Sequence, residues 1–170
     1  HRIARRQRQM CIRDRSSINL FTKNRKGQSL GAGARYCLFL GTLKMYILDF
    51  NKLSLRDINK TLQGSDKNSS FSIRNPKGSH ALAVGINKRI TVKVVGSVGY
   101  YCAGMNKFSD IKVEGSAGPG LGENMMSGNI HVTGDVSQYA GASGHGGCIL
   151  INGNASSRCG ISMKGVDIIV

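Results

Sequence analysis

The fold is decided by a short pattern that occurs four times, as VKVVGSV at residues 92–98, IKVEGSA at 111–117, IHVTGDV at 130–136 and ILINGNA at 149–155. Each copy starts 19 residues after the previous one, and a fifth begins at Ile168. The alternation of apolar and variable positions predicts a β-strand with one face inward. The glycine and the Ser, Asp or Asn that follows it predict a turn.

Such strands cannot bury their apolar faces alone, so successive copies are expected to stack with equivalent positions in columns about 4.8 Å apart. The prediction is an all-β fold, a single-stranded right-handed parallel β-helix with 19-residue turns. The glycines at its expected structural corners are Gly96, Gly115, Gly134 and Gly153. A second column consists of small residues, which permit close passage of the backbone at a corner. Its members are Ala103, Gly122, Gly141 and Gly160.

A short helix is predicted before the repeats. Apolar residues recur at helical spacing between residues 53 and 62, with Ser54 suited to the N-cap and Gly64 to the stop. We expect this helix to cover the first open end of the solenoid. A weaker additional turn is predicted from residue 71, because Ile73 precedes Val92 by 19 residues.

The formal net charge of +15 is concentrated at the N-terminus, since residues 1–44 contribute +10 and residues 45–170 only +5. Residues 8–15 resemble a translated transposase-adapter sequence of the kind used to prepare sequencing libraries, and Met45 is the expected natural start. The alternative is a genuine disordered basic arm. Because the charge lies outside the repeats, neither nucleic acid nor a membrane is an expected partner.

The predicted organisation has three parts. Residues 1–44 form a non-native or disordered extension, residues 45–70 hold the capping helix and a linker, and residues 71–170 form the β-helix. Because the sequence stops inside a strand pattern at Val170, we expect the chain to be a fragment that lacks its C-terminal turns.

Candidate chemistry in the repeats is sparse. Cys102 and Cys159 share a column with Leu121 and Ala140, so burial is the expected role of these thiols. No catalytic, cofactor-binding or metal-ligating residue is predicted, because the acids and histidines do not converge on one face at ligand spacing. The cysteines show no CxxC spacing and the chain shows no secretory signal, which predicts a reduced, cytoplasmic setting.

One column of outward strand positions loses polarity along the axis. It runs Lys93, Lys112, His131, Leu150 and Ile169. Apolar side chains on the outside of successive turns are typical of a contact with another chain. We therefore expect the flank around Leu150 and Ile169 to be buried by a partner.

Several corner segments carry a family resemblance, namely GSVGYYCAGMN at 96–106, GSAGPG at 115–120, ENMMSG at 123–128, SQYAGA at 137–142 and NASSRCGISMKG at 154–165. The repeat with its glycine corners resembles the GXGXG β-helix domain that forms the C-terminal part of the glutamate synthase large subunit. Within that group, these segments look most like the small GXGXG subunits of N-methylglutamate synthases. The similarity runs from about Met45 to Val170.

The resemblance implies a subunit without activity of its own. In that family a glutaminase-like chain and an FMN-binding synthase chain carry out the exchange of the amino group of glutamate for methylamine, and the β-helix chain holds them together. FMN is accordingly expected in a partner subunit and no cofactor in this chain. Two alternatives stay open, the β-helix subunit of a formylmethanofuran dehydrogenase or related formyltransferase complex, and a stand-alone β-helix enzyme such as a polysaccharide lyase.

The side chains expected to contact partners, or to line a passage for an amine, lie in the irregular corners and on the apolar flank. They are Tyr100, Tyr101, Met105, Asn106, Glu123, Asn124, Leu150, Arg158, Lys164 and Ile169. Plain packing of the corners is the alternative explanation for the corner residues.

Overall fold

The computed structural model describes residues 45–170, so the predictions for residues 1–44 lie outside the described part of the chain. The described elements are seven strands and one helix. They are β1 (Met45–Asp49), α1 (Leu55–Gly64), β2 (Ser70–Arg74), β3 (Thr91–Val95), β4 (Asp110–Glu114), β5 (Asn129–Val132), β6 (Gly147–Ile151) and β7 (Val166–Ile169). No helix within residues 45–170 is long and apolar enough to cross a membrane.

The strands form one parallel sheet in chain order, which confirms the predicted all-β parallel solenoid. From β3 to β7 the register is constant, because Val92 pairs with Ile111, Ile111 with Ile130, Ile130 with Ile149, and Ile149 with Ile168. Each of these steps is 19 residues. The sequence repeat and the rung of the solenoid are therefore the same unit.

Two further columns of small or apolar residues complete the core opposite the sheet. Isolated parallel bridges join Val98 to Ala117, Ala117 to Val136 and Val136 to Ala155. The next column contains Cys102, Leu121 and Ala140, all fully buried. The core thus runs along the axis as stacked side chains contributed by every rung.

The first rungs depart from the 19-residue prediction. Phe71 pairs with Val92 and Ile73 with Val94, so this turn contains 21 residues. The extra residues pass through a loop at Pro76, whose ring would lie 3.0 Å from a Cβ on Gly96. The sheet also begins at Met45 rather than at residue 71, because Met45 pairs with Ser70 across a connection that contains α1.

Helix α1 begins at Leu55 and ends at Gly64, the residue predicted as its stop. Ser54 is the N-cap, as predicted, and its side chain accepts a hydrogen bond from the N–H of Asp57. Ile58 and Leu62 are fully buried in the core that also includes Leu82 and Ile86. The amphipathic face of α1 is thus directed at the second rung.

Candidate interaction surfaces

The corner that leads back to each strand has an unusual backbone. Every second residue has a positive φ, and the same positions do so in successive rungs. The members are Tyr101, Ala103 and Met105, then Gly120, Gly122 and Asn124, then Tyr139, Gly141 and Ser143, and finally Arg158, Gly160 and Ser162. Most are not glycine, and each such residue costs about 1–2 kcal/mol in this conformation. Something outside the local sequence must therefore impose it.

Hydrogen bonds between rungs supply that constraint. The N–H groups of Gly122, Gly141 and Gly160 donate to the carbonyls of Cys102, Leu121 and Ala140, each at 2.8 Å. A left-handed residue at every second position directs its N–H along the axis, where it finds a carbonyl of the neighbouring rung. Small residues are also favoured in the predicted column for a steric reason, because a Cβ on Gly122 would lie 2.8 Å from Cδ1 of Ile130.

The four predicted glycine corners lie directly over one another. A Cβ on Gly115 would be 2.7 Å from the carbonyl carbon of Gly96, and a Cβ on Gly153 would be 2.7 Å from that of Gly134. Contacts this short are not compatible with a side chain, so glycine is required by the approach of successive rungs. After the glycines, Asp135 accepts hydrogen bonds from both the N–H and the side-chain amide of Asn154.

Tyr100 and Tyr101 lie side by side but in different environments. Tyr100 is 53% exposed, and its ring lies against His80 with a centroid separation of 4.3 Å and the ring planes tilted by 31°. Its N–H donates to Nδ1 of the same histidine at 3.1 Å. Tyr101 is half-buried, and its ring covers Gly104, where a Cβ would lie 2.7 Å from Cε1. Tyr100 is thus available to a partner, whereas Tyr101 mainly packs on its own corner.

The next four predicted contact residues divide in the same way. Met105 is exposed, and Glu123 and Asn124 are half-buried, with the Glu123 carboxylate lying against Gly120. Asn106 is fully buried, and its amide donates to the carbonyls of Ser109 and Ser127 while its oxygen accepts the Ser109 hydroxyl. Every polar atom of the Asn106 side chain is therefore used inside the chain, which agrees with plain packing of the corner, the alternative explanation for this residue.

Arg158 and Lys164 are both exposed in the last described corner. The Arg158 guanidinium donates to the hydroxyl of Tyr139 at 3.0 Å and lies 5.6 Å from the centre of that ring. Lys164 is held by its backbone N–H, which donates to the carbonyl of Gly144 at 2.7 Å. The Arg158 side chain is therefore held against Tyr139, whereas the Lys164 side chain projects from a fixed backbone position.

Leu150 and Ile169 lie on the outer face of the sheet, separate from the corner residues. They pair in register with each other and with His131, as predicted, and both are half-buried. On the same face, in the earlier strands β3 and β4, Lys93 and Lys112 both form ion pairs with Glu114, at 3.0 and 3.2 Å. Hydrogen bonds from these two lysines lower the pKa of the Glu114 carboxyl. The face thus changes from paired charges to aliphatic side chains along the axis.

The described residues contain little that supports independent catalysis. Burial raises the pKa of the Cys102 thiol to about 12, so this group stays protonated near neutral pH. Burial also raises the pKa of Cys159. Within residues 45–170 no group of three or more His, Cys, Asp or Glu side chains is arranged to hold a metal ion.

One exposed surface was missed by sequence reasoning. Phe108 and Met126 are 43% and 48% exposed, and the Arg89 guanidinium and Lys107 ammonium lie 5.8 and 5.4 Å from the centre of the Phe108 ring. Lys107 and Met126 are again 19 residues apart, and this spacing is the sequence signal that places them in one column. The signal is weak because the column mixes basic and apolar residue types.

Comparison with curated proteins finds Protein GlxC of Rhizobium meliloti (strain 1021), which is 55% identical to this chain over 62 residues. The matched region covers 35% of this chain and 27% of that protein, so the chain spans about a quarter of the relative's length. No family model and no solved structure matches the chain. The match and the repeat together support, at a coarse level, the resemblance to GXGXG-type proteins related to glutamate synthase.

Proposed function

We propose that this chain is a non-catalytic structural subunit of a glutamate-synthase-like complex, in which it holds a glutaminase-like chain and an FMN-binding synthase chain at a fixed separation. The reaction assigned to the complex is that of N-methylglutamate synthase, which converts glutamate and methylamine to N-methylglutamate and ammonia. The match to Protein GlxC supports the broader assignment to a glutamate-synthase-related subunit. The N-methylglutamate reaction rests on the resemblance of the corner segments.

The observation that carries the proposal is the constant register of β3 to β7. A stack in which each rung contacts only its neighbours is stiff along its axis and offers long flat flanks. Two chains bound to such flanks keep a constant distance from one another. That geometry suits a reaction in which a small amine leaves one site and must reach another, because positioning errors of about 1 Å are costly.

The aliphatic end of the sheet face is the contact surface we assign to one of these chains. Leu150 and Ile169 point outward from β6 and β7, and each keeps part of its aliphatic side chain exposed. Complete burial of an exposed aliphatic side chain of this size contributes about 1.5–3 kcal/mol, and covering the remaining exposed part of each residue contributes roughly half of that. A lysine introduced there would bring an unpaired charge into the interface.

The proposal is tested by co-expressing the chain with the products of the neighbouring coding regions and measuring the mass and flavin absorbance of the purified assembly. We expect one assembly that contains flavin and both other chains, and we expect Leu150→Lys to disrupt it. Thr133→Lys is the matched control, because Thr133 is exposed in the adjacent rung, immediately after β5. Normal assembly of Leu150→Lys, or formation of N-methylglutamate by the purified chain alone, would refute the proposal.

A further inference from the structure

A second line of exposed side chains runs along the axis beside the left-handed corners, and we call it the corner ridge. It consists of Lys107, Met126, His145 and Lys164, all exposed. The N–H groups of Met126, His145 and Lys164 donate to the carbonyls 20 residues earlier, at 2.8, 2.8 and 2.7 Å. The same hydrogen bond recurs at each step, so these four residues form a column with about 4.8 Å between rungs.

Exposed apolar side chains flank the corner ridge. Met105 lies two residues before Lys107, and Phe108 directly follows it. Together with Met126, a member of the ridge, they are between 43% and 48% exposed. Isolated exposed apolar residues are ordinary, but three of them around Lys107 form a patch of mixed character.

The basic groups of the ridge are not neutralised by the chain. Within residues 45–170 the ion pairs involve Glu114 with Lys93 and Lys112, which lie on the sheet face, and neither Lys107 nor Lys164 has a carboxylate within 4 Å. Asp110, near the ridge in sequence, accepts a hydrogen bond from Asn129 in the sheet. The ridge therefore presents unpaired positive charge next to exposed methionine and phenylalanine.

We propose that the corner ridge binds an acidic, amphipathic segment of a partner protein that lies along the solenoid axis. Met, aromatic and Arg side chains are enriched in protein interfaces, and methionine adapts its shape to an apolar partner surface. Lys107 and Lys164 are three rungs, or about 14 Å, apart along the axis, which matches acidic side chains about nine or ten residues apart on a helix that rises about 1.5 Å per residue. This inference rests on the proposed function, since it names a second partner-facing surface of the same structural subunit.

A nucleic acid is a poorer fit to the same surface. Binding of single strands uses several aromatic platforms for the bases, and Phe108 is the exposed phenyl ring on this ridge. Met105 and Met126 would gain little from a phosphate backbone. The apolar half of the patch is thus explained by an amphipathic protein segment and is left unexplained by a simple polyanion.

The test measures binding of a fluorescent synthetic helix with Glu on one face and Leu on the other, by anisotropy at physiological ionic strength. The probes for comparison are the same helix with Lys in place of Glu, polyuridylate, and phosphatidylcholine vesicles that contain phosphatidylserine. The proteins are the full chain, Lys107→Glu/Lys164→Glu, Met126→Ser, and the control Arg56→Glu/Lys60→Glu. The control has the same change of charge on α1, and all variants keep residues 1–44.

We expect the acidic helix to bind the full chain and the control alike, and to bind the ridge double variant at least about tenfold more weakly. Met126→Ser should also weaken it. Equal affinity for all variants, or tighter binding of polyuridylate or of the vesicles, would overturn the proposal. If the peptide binds through the ridge but the co-expressed chains do not assemble, the proposed function is refuted and the ridge proposal is supported. If the chains assemble but the peptide does not bind, the ridge proposal is refuted and the proposed function is supported.

Discussion

Gly115 illustrates the steric demand that a single residue meets in this fold. A Cβ at this position would lie 2.7 Å from two backbone atoms of the rung below, the carbonyl carbon of Gly96 and the nitrogen of Ser97. Backbone cannot move aside without disturbing the ladder, so we expect Gly115→Ala to lower the free energy of unfolding by about 1–3 kcal/mol in urea titrations. Gly64→Ala is the control, because nothing lies within 4 Å of its added Cβ. An equal loss in both variants would contradict the steric explanation.

The Cys102 thiol predicts a dependence of stability on pH. Its pKa is raised by burial from 9.0 to about 12 in the folded state. The unfolded thiol therefore loses its proton first, and stability from this group is complete below pH 9.0 and declines as the pH approaches about 12. Within that window the slope is about 1.4 kcal/mol per pH unit.

The measurement compares urea unfolding of the full chain and Cys102→Ala between pH 8 and pH 11. Alanine is suited to the site, because Ala140 occupies the same column. We expect the difference between the two proteins to change in favour of the alanine variant as the pH rises. Lysine and tyrosine titrations are common to both proteins and cancel in the difference. A pH-independent difference would mean that the thiol is not buried.

At the scale of elements, α1 supplies the hydrogen bonds that corner backbone supplies in later rungs. The side-chain amide of Asn59 donates to the carbonyl of Ala81 and its oxygen accepts from the N–H of Ala83, each at 2.8 Å. Gln63 donates to the carbonyl of Val84 at the same distance. In later rungs the N–H equivalent to that of Ala83 is bonded to the preceding turn, as Ala103 is to Leu82.

Removing this amide leaves a backbone donor and an acceptor without partners. We expect Asn59→Ala to cost about 1–3 kcal/mol and to increase amide exchange at Ala83. Asn59→Asp keeps an acceptor for the Ala83 N–H and should protect that amide better than alanine does. Lys60→Ala, on the exposed side of α1, is the control. Unchanged exchange at Ala83 in Asn59→Ala would show that the helix covers the rung without these bonds.

The same element scale separates what the sequence predicts from what it does not. The register of β3 to β7 follows from a 19-residue repeat, because identical rungs stack with identical positions aligned. The 21-residue turn before β3 was not predicted, since Pro76 and its loop have no equivalent in the later copies. The left-handed corners were also missed. Tyr101 and Arg158 disfavour that conformation locally, and hydrogen bonds between rungs impose it.

The candidate surfaces show a similar division. The sequence correctly places Leu150 and Ile169 in one outward column, because strand alternation alone determines which side chains face out. It does not reveal that Asn106 is buried, since the strand alternation that separates inward from outward side chains does not apply in a corner. Burial there depends on contacts with Ser109 and the next rung, which only the folded chain displays.

At the scale of the whole molecule, the solenoid should tolerate loss of one complete rung better than loss of a length that is not a whole rung. Deleting residues 115–133 removes 19 residues and joins Glu114 to Gly134, so Gly134 enters the column of Gly115 and every later column is kept. We expect this protein to stay folded with a lower free energy of unfolding, because it loses one repeat and one interface between rungs.

Deleting residues 115–132 is the matched control. It leaves a 20-residue turn, whose extra residue must bulge out at a corner or shift the following strand, so we expect it to be less stable than the 19-residue deletion. Urea unfolding followed by circular dichroism, together with size-exclusion chromatography, compares the two proteins. An 18-residue deletion as stable as the 19-residue deletion would show that the columns are not what holds the rungs in register. In the co-expressed assembly, the 19-residue deletion shortens the rod by about 4.8 Å while keeping Leu150 and Lys164 in their columns. We expect this shorter protein to bind both partner chains and the assembly to lose turnover. That result would show that the length of the solenoid sets the distance between the active sites of the two partners.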